Sequence, residues 1–137
     1  MKRTIVILAL MLSVGFVTGI IAERVLFAQV GPKRTVILTT DLEGLPGLEA
    51  NMIVADLAPG VWSGKHYHPG YDLVYVLEGH GELAREGKPT LELKPGVAFY
   101  NYRSDVHEVR NLSQTEPMKV LAIYITDKGK PSTVQVK

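Results

Sequence analysis

The chain has 137 residues, a formal net charge of +1 and no cysteine. This length suits one domain and leaves no room for a second. The lack of cysteine excludes disulfides and thiolate metal ligands.

The amino terminus has the pattern of an export signal. A basic start, Lys2-Arg3, precedes the uncharged apolar run of residues 4–22. Cleavage after Ala28 would release residues 29–137 as the mature domain. The run is also about long enough to cross a bilayer, which takes roughly 20 residues, and so could remain as a membrane anchor helix. We therefore expect residues 1–28 to be a signal peptide or an anchor, with the domain exported to the periplasm or outside the cell.

The domain itself is close to electrical neutrality. Without the charged residues of the first 28 positions, the formal charge falls from +1 to −1. This excludes a basic surface for nucleic acid. Contact with a membrane is expected only through the amino-terminal segment.

From residue 29 onward the sequence predicts short β-strands between turns rich in glycine and proline. The apolar run Leu73 to Leu77 predicts a strand that is buried on both faces. This spacing of strands and turns indicates an all-β jelly roll or small barrel. The predicted strands are 35–39, 51–57, 61–68, 73–77, 82–85, 90–93, 97–102, 107–111 and 119–126.

Three of the four histidines suggest a metal site. His66 and His68 lie two residues apart on a predicted strand, so their imidazoles point to the same side. His107 begins a later strand and can supply a third ligand. Imidazole and carboxylate together suit divalent Mn, Fe, Co, Ni, Cu or Zn. We expect metal affinity to fall below about pH 6.5, where unperturbed histidine becomes protonated.

The spacing around these histidines resembles the first motif of the cupin superfamily. The segment is Gly60-x5-His66-x-His68-x3-Asp72-x6-Gly79, in which Asp72 stands where the family usually has glutamate.

A second segment, Gly96-x10-His107-x3-Asn111, resembles the second cupin motif. Tyr102 and Ser104 there replace the family's proline and glycine. The resemblance covers about the whole chain after the first thirty residues. It implies a cupin jelly-roll barrel, also called a double-stranded β-helix, with one divalent metal bound by His66, His68, Asp72 and His107.

Asp72 leaves several interpretations open. Its side chain reaches roughly 1 to 1.5 Å less far than glutamate, compared with metal–oxygen bonds of about 2.0 to 2.2 Å. It can ligate the metal directly from a closer strand, contact it through water, or orient an imidazole. Alternatively, it is only a turn residue after Pro69-Gly70.

Other residues near the motifs receive narrower predictions. Lys65 and Arg103 are the cations nearest the motifs and could hold a substrate carboxylate, but a surface position is favoured for each. His80 is expected to be exposed in a turn, and Asn111 to fix a turn rather than touch metal. The candidate pocket wall comprises Met52, Val54, Trp62, Val74, Val76, Phe99, Tyr100, Tyr102, Arg103 and Tyr124, with Tyr100 and Tyr102 as hydroxyl donors.

Three functions fit this pattern, each with a small-molecule ligand. The resemblance to quercetin-dioxygenase-like small cupins implies an oxygenase. The alternatives are a non-catalytic metal or small-ligand binding or sensing module, and a metal-dependent isomerase or lyase. Cupins commonly pair their sheets, and apolar residues occupy both parities of 73–77 and 119–126. We therefore also expect a homodimer.

Overall fold

The computed structural model describes residues 31–136, and the regular elements in that range are ten β-strands. The expected signal or anchor lies outside the described residues. Residues 31–136 contain no helix with the length and hydropathy that a bilayer crossing requires. The strands are β1 (Lys33–Asp41), β2 (Leu48–Leu57), β3 (His66–Tyr67), β4 (Tyr71–Glu78), β5 (Gly81–Arg85), β6 (Leu91–Leu93), β7 (Ala98–Asn101), β8 (His107–Asn111), β9 (Met118–Asp127) and β10 (Val134–Gln135).

The strands form two five-stranded antiparallel sheets, which confirms the predicted all-β jelly roll. The first sheet has the order β1-β2-β9-β4-β7, and the second has the order β10-β3-β8-β5-β6. Inward-facing side chains of both sheets build one hydrophobic core, as expected for stacked antiparallel sheets. Its largest fully buried apolar side chains are Leu57, Val76, Leu83, Leu93 and Met118.

The central strand β4 corrects one prediction. Val74 and Val76 point into the core, whereas Leu73, Tyr75 and Leu77 are exposed by 46%, 46% and 38%. The strand is thus buried on one face among the described residues, and its second face is apolar but open. An unbroken apolar run does not distinguish these two situations, because both produce the same sequence pattern.

The exposed side of the first sheet forms an apolar surface, which we call the outer patch. Leu73 pairs with Tyr100 on β7 and with Ile123 on β9, and Tyr75 pairs with Leu121. Paired residues share a face of the sheet, so these five side chains are neighbours. They line a shallow groove of about 360 Å³.

The strand predicted at 61–68 is reduced to His66–Tyr67. Before it, Trp62 makes an isolated bridge to Arg110. Gly64 has a φ of 69°, a left-handed conformation that interrupts an extended strand. The turn brings the two motif histidines to the edge of the core.

A β-bulge in β1 decides which of its side chains face inward. Val36 pairs with Ile53 and Leu38 with Met52, which leaves one extra residue on β1. Before the bulge, Arg34 pairs with the buried Ala55 and therefore shares its inward face. After the bulge, the alternation of inward and outward side chains along β1 is reversed, because a bulge adds one residue to the strand.

Candidate metal centre

The three predicted histidines come together between the sheets. His66 on β3 pairs directly with His107 on β8, and His68 follows two residues after His66. Their ring centroids are 4.4 to 5.1 Å apart. One ring nitrogen from each residue lies within 4.8 Å of the other two, and all three residues are buried. This arrangement has the geometry of a three-histidine group that can hold a metal ion.

Each imidazole is held in the tautomer that metal binding needs. All three Nδ1 atoms hydrogen-bond to backbone carbonyls, which can only accept. Nδ1 therefore carries the proton, and Nε2 carries the lone pair that a metal can bind. In His107 this Nε2 also lies 3.3 Å from the Asn101 amide nitrogen, which can donate to it. The partners are the carbonyls of Gly64 for His66 at 2.8 Å, Ser132 for His68 at 2.6 Å and Asp105 for His107 at 2.8 Å.

Asp72 lies beside this group and is not a turn residue. It is in β4 and only 2% exposed, and its Oδ2 lies 3.5 Å from His68 Nε2 and 3.9 Å from His107 Nε2. Ligands with bonds of about 2.0 to 2.2 Å to one ion lie roughly 3 to 3.5 Å from each other. Oδ2 is therefore close to ligand spacing for two of the three histidines.

Asn101 is a member of the site that the motif analysis did not single out. Its Nδ2 donates to Asp72 Oδ2 at 2.8 Å and lies 3.3 Å from His107 Nε2. The residue is buried in β7 opposite Asp72. The sequence offers one indication of this role. Asn101 is an amide between two tyrosines of an alternating strand, where an inward-facing residue is normally apolar.

The buried environment keeps the histidines neutral. Burial lowers the pKa of His68 to about 3 and that of His107 to about 4, and it lowers the pKa of His66 as well. Burial also raises the pKa of the Asp72 carboxyl to about 7, against the opposing effect of the Asn101 hydrogen bond. Among these groups, Asp72 has the pKa nearest neutral pH.

The histidines and Asp72 border a cavity of about 40 Å³. Since one water molecule needs about 10 to 15 Å³, the cavity holds only a few water-sized groups. Its wall is mainly apolar, and the Tyr124 ring stacks on His68 at a centroid distance of 4.4 Å. Small ligands suit this space better than large ones.

The predicted wall is only partly right. Val74, Phe99 and Tyr124 line the cavity, whereas Val76 belongs to the core and Trp62 is exposed. The others, Met52, Val54, Tyr100, Tyr102 and Arg103, do not line the cavity either.

The predicted hydroxyl donors and substrate cations also lie outside the cavity. Tyr100 and Tyr102 are each 53% exposed. Arg103 pairs with Asp127 and Lys65 with Glu86, each at 3.7 Å on the surface. For Lys65 and Arg103 the surface position is the one that the sequence favoured. The hydroxyl donors were misplaced because β7 turns its buried residues, Phe99 and Asn101, toward the core and Tyr100 away from it.

Arg34 is the cavity-lining cation among residues 31–136. It lies far from both motifs in the sequence, so motif spacing could not identify it. The signal was its register on β1, opposite Ala55, which also lines the cavity.

Two remaining predictions concern polar residues away from the cavity. Asn111 fixes a turn as expected, with Nδ2 donating to the Leu57, Ala58 and Glu116 carbonyls. His80 is exposed and lies 3.1 Å from Glu92. Neither residue joins the histidine group.

The donor set fits a divalent transition metal. Three neutral imidazoles and one carboxylate suit ions from manganese to zinc. Asp72 Oδ1 supports this fit, because it is buried without a hydrogen-bond partner among the described residues. An unpartnered buried carboxylate oxygen is costly unless a cation or a donor satisfies it.

Comparison with known proteins supports the assignment of the fold. The chain is similar to an uncharacterised protein with a double-stranded β-helix domain from Klebsiella pneumoniae, at a TM-score of 0.63 and 21% identity over 80% of this chain and 88% of that one. It is also similar to the DMSP lyase DddQ from Ruegeria pomeroyi, at a TM-score of 0.61 and 19% identity. That alignment covers 80% of this chain and 56% of that one. A cupin domain from Bordetella pertussis matches with a TM-score of 0.54 and 26% identity over 70% of this chain and 94% of that one.

No curated protein matches the chain in sequence. The family model described as "Cupin domain" matches residues 53–124, which is just over half of the chain and includes the three histidines and Asp72. With two antiparallel sheets around a buried histidine group, the chain belongs to the cupin family.

Proposed function

We propose that this protein is an exported enzyme that binds one divalent metal ion through His66, His68, His107 and Asp72 and transforms a small organic substrate. The observation that carries the proposal is the set of three Nε2 lone pairs, each fixed by a backbone carbonyl at Nδ1. Histidines with a purely structural role would have no reason to point their Nε2 atoms at one another beside a buried carboxylate.

The protein's own residues would prepare the site for chemistry. Three imidazoles and one carboxylate would leave room in the shell of a bound ion for substrate or water, and the cavity wall is largely apolar. Burial raises the pKa of Tyr124, so its phenol stays protonated near neutral pH and can donate a hydrogen bond or a proton. A bound metal would supply Lewis acidity and, if it is redox-active, a route to oxygen chemistry.

The first candidate reaction is oxygenation of an enol or diol. It is supported by the nitrogen-rich donor set, which suits iron, manganese, nickel and copper. The test uses protein loaded separately with Fe(II), Mn(II), Ni(II) or Zn(II) and given an enol or a diol. The protein should consume oxygen only when the metal is redox-active. Absence of oxygen uptake with every metal and substrate would exclude this reaction.

The second candidate is a lyase or isomerase. Tyr124 supports this candidate, because a protonated phenol next to His68 can transfer a proton during an elimination. The similarity to the DMSP lyase DddQ supports it at the level of the fold only. Anaerobic turnover, with Zn(II) as effective as Fe(II), would select this candidate. Tightly held zinc without turnover under any condition would indicate a binding or sensing role.

We further propose that residues 1–28 direct residues 29–137 out of the cytoplasm, either as a cleaved signal or as a membrane anchor. Support comes from the basic start and the apolar run of residues 4–22. Expression of the full chain and of residues 29–137 alone, followed by cell fractionation, tests this. Equal cytoplasmic recovery of both would contradict it.

A further inference from the structure

Arg34 places a positive charge at the cavity that holds the histidine group. It lies on β1, pairs with Ala55 and lines the same cavity as His66, His68 and Asp72. The bulge after Val36 ends this inward parity, since Leu38 pairs with Met52 instead. The strand thus delivers one cationic side chain to the cavity and turns its later apolar residues away.

Nothing among residues 31–136 neutralises this guanidinium. No carboxylate in that range lies within ion-pair distance of Arg34, although Lys65, Arg103 and Arg110 each have such a partner. Arg34 is itself exposed, so it lines the solvent side of the cavity that the buried histidines and Asp72 border.

The charges around the cavity define the ligand that fits. A divalent ion and the Asp72 carboxylate would leave one net positive charge at the centre, and Arg34 would add a second. The wall between them is largely apolar and includes Leu57, Phe99 and Val120. A ligand that matches this pattern carries an oxygen donor at one end, a short carbon body and a carboxylate at the other.

We propose that Arg34 is a specificity-determining residue that binds the carboxylate of a short organic acid whose other oxygen-bearing end faces the metal. The guanidinium offers a planar pair of N–H donors that matches a carboxylate in geometry as well as charge. This inference rests on the metal centre proposed above. It adds the substrate class, a small organic acid.

The test uses protein loaded with one equivalent of Co(II), whose visible spectrum reports ligand binding. Two hydroxamates of malonic acid serve as probes: in one the far end is a free carboxylate, and in the other it is a primary amide of nearly the same size. The hydroxamate binds the metal in both, so only the far end differs in charge. We expect the wild type to bind the carboxylate probe about 10-fold or more tightly than the amide probe, the size of one charge-assisted bidentate contact. Arg34→Gln should remove this preference and leave binding of the amide probe nearly unchanged.

Two further variants separate the role of Arg34 from general effects of charge and folding. Arg34→Lys keeps the charge without the planar fork and should retain only part of the preference. Arg103→Gln removes an exposed arginine that pairs with Asp127 outside the cavity, and should retain all of it.

The possible failures are distinguishable. If Co(II) is bound but the wild type does not prefer the carboxylate probe, or Arg34→Gln keeps the preference, the role of Arg34 is wrong and the metal centre stands. If the wild type takes up no Co(II), the proposed metal centre is wrong, and this inference falls with it.

Discussion

The two oxygens of the Asp72 carboxyl have different surroundings. Oδ2 accepts a hydrogen bond from Asn101, whereas Oδ1 is buried without a partner among residues 31–136. Oδ2 lies 3.5 Å from His68 Nε2. Aspartate is shorter than glutamate, but with β4 this close to the histidines it can reach an ion that they share. Of the interpretations left open by the sequence, the turn residue is ruled out. The distances to His68 and His107 are compatible with direct ligation, with a contact through water and with a role in orienting an imidazole. Asp72 is not one of the three residues whose ligand atoms lie within 4.8 Å of one another.

We predict that Asp72→Ala weakens metal binding by about 10-fold or more, because the site loses a ligand and a buried negative charge. Asp72→Glu restores the residue usual in the family and should be tolerated. Competition with a chelating dye measures both affinities. Unchanged affinity in Asp72→Ala would mean that three histidines and solvent suffice.

Metal binding should also release a proton from Asp72. Its pKa of about 7 means that most of the metal-free protein carries this proton at pH 6, while the histidines, with lowered pKa values, carry few. A cation favours the ionised carboxylate, so affinity should rise with pH until about pH 7 and then level off.

Calorimetry at pH 6 in two buffers of different ionisation enthalpy would count the released protons. We expect close to one for the wild type and almost none for Asp72→Asn, which keeps the shape of the side chain without a titrating group. Equal release in both proteins would assign the proton to another residue.

At the scale of the strands, the structure explains why the residue that closes the first motif, Gly79, is a glycine. It has a φ of 85°, and a Cβ at this position would lie 2.5 Å from the Pro117 carbonyl oxygen and 2.6 Å from Met118 Cα. The turn from β4 to β5 therefore passes directly against the start of β9. Both the backbone conformation and the lack of space require glycine.

Gly79→Ala should lower the free energy of unfolding by about 2 kcal/mol or more, since left-handed strain and a backbone clash act together. Gly87→Ala is the matched control: its φ of 69° is also left-handed, but no atom lies within 4 Å of the added Cβ. It should cost only about 1 kcal/mol. Urea denaturation measures both, and equal losses would show that the contact with β9 is unimportant.

The strands differ in how well the sequence predicts them. His107–Asn111 was predicted with the observed bounds, because a loop and a turn enclose a short alternating run. The prediction of 61–68 was too long, since the left-handed Gly64 is not visible in a hydropathy pattern. Motif spacing predicted the histidine group, whereas Arg34 and Asn101 depend on pairing between distant strands, which one sequence does not reveal.

At the scale of the whole molecule, the outer patch is an apolar surface that an ordinary protein exterior does not need. Leu73, Tyr75 and Tyr100 are about half exposed and adjoin Leu121 and Ile123. Contiguous apolar surface of this kind commonly marks a protein interface. We therefore propose that the outer patch is where two copies of this chain meet, since a symmetric contact covers the same patch on both.

Leu73→Glu should convert the dimer into a monomer, because it would place two like charges at the centre of an apolar contact. Leu112→Glu changes a similarly exposed leucine outside the outer patch and should leave the dimer intact. Light scattering at micromolar concentration distinguishes the two species. A monomeric wild type would exclude this interface.

The hydrogen bond from His68 to the Ser132 carbonyl spans 64 residues of sequence. Beside it, β10 pairs with β3 through Val134 and Tyr67. A ribosome delivers the chain from its amino end, so His66, His68, Asp72 and His107 all emerge before the segment that fixes His68. The metal site is thus completed late in biosynthesis. If the protein is exported as proposed, its metal would be drawn from the compartment where the chain finishes folding rather than from the one where it is made.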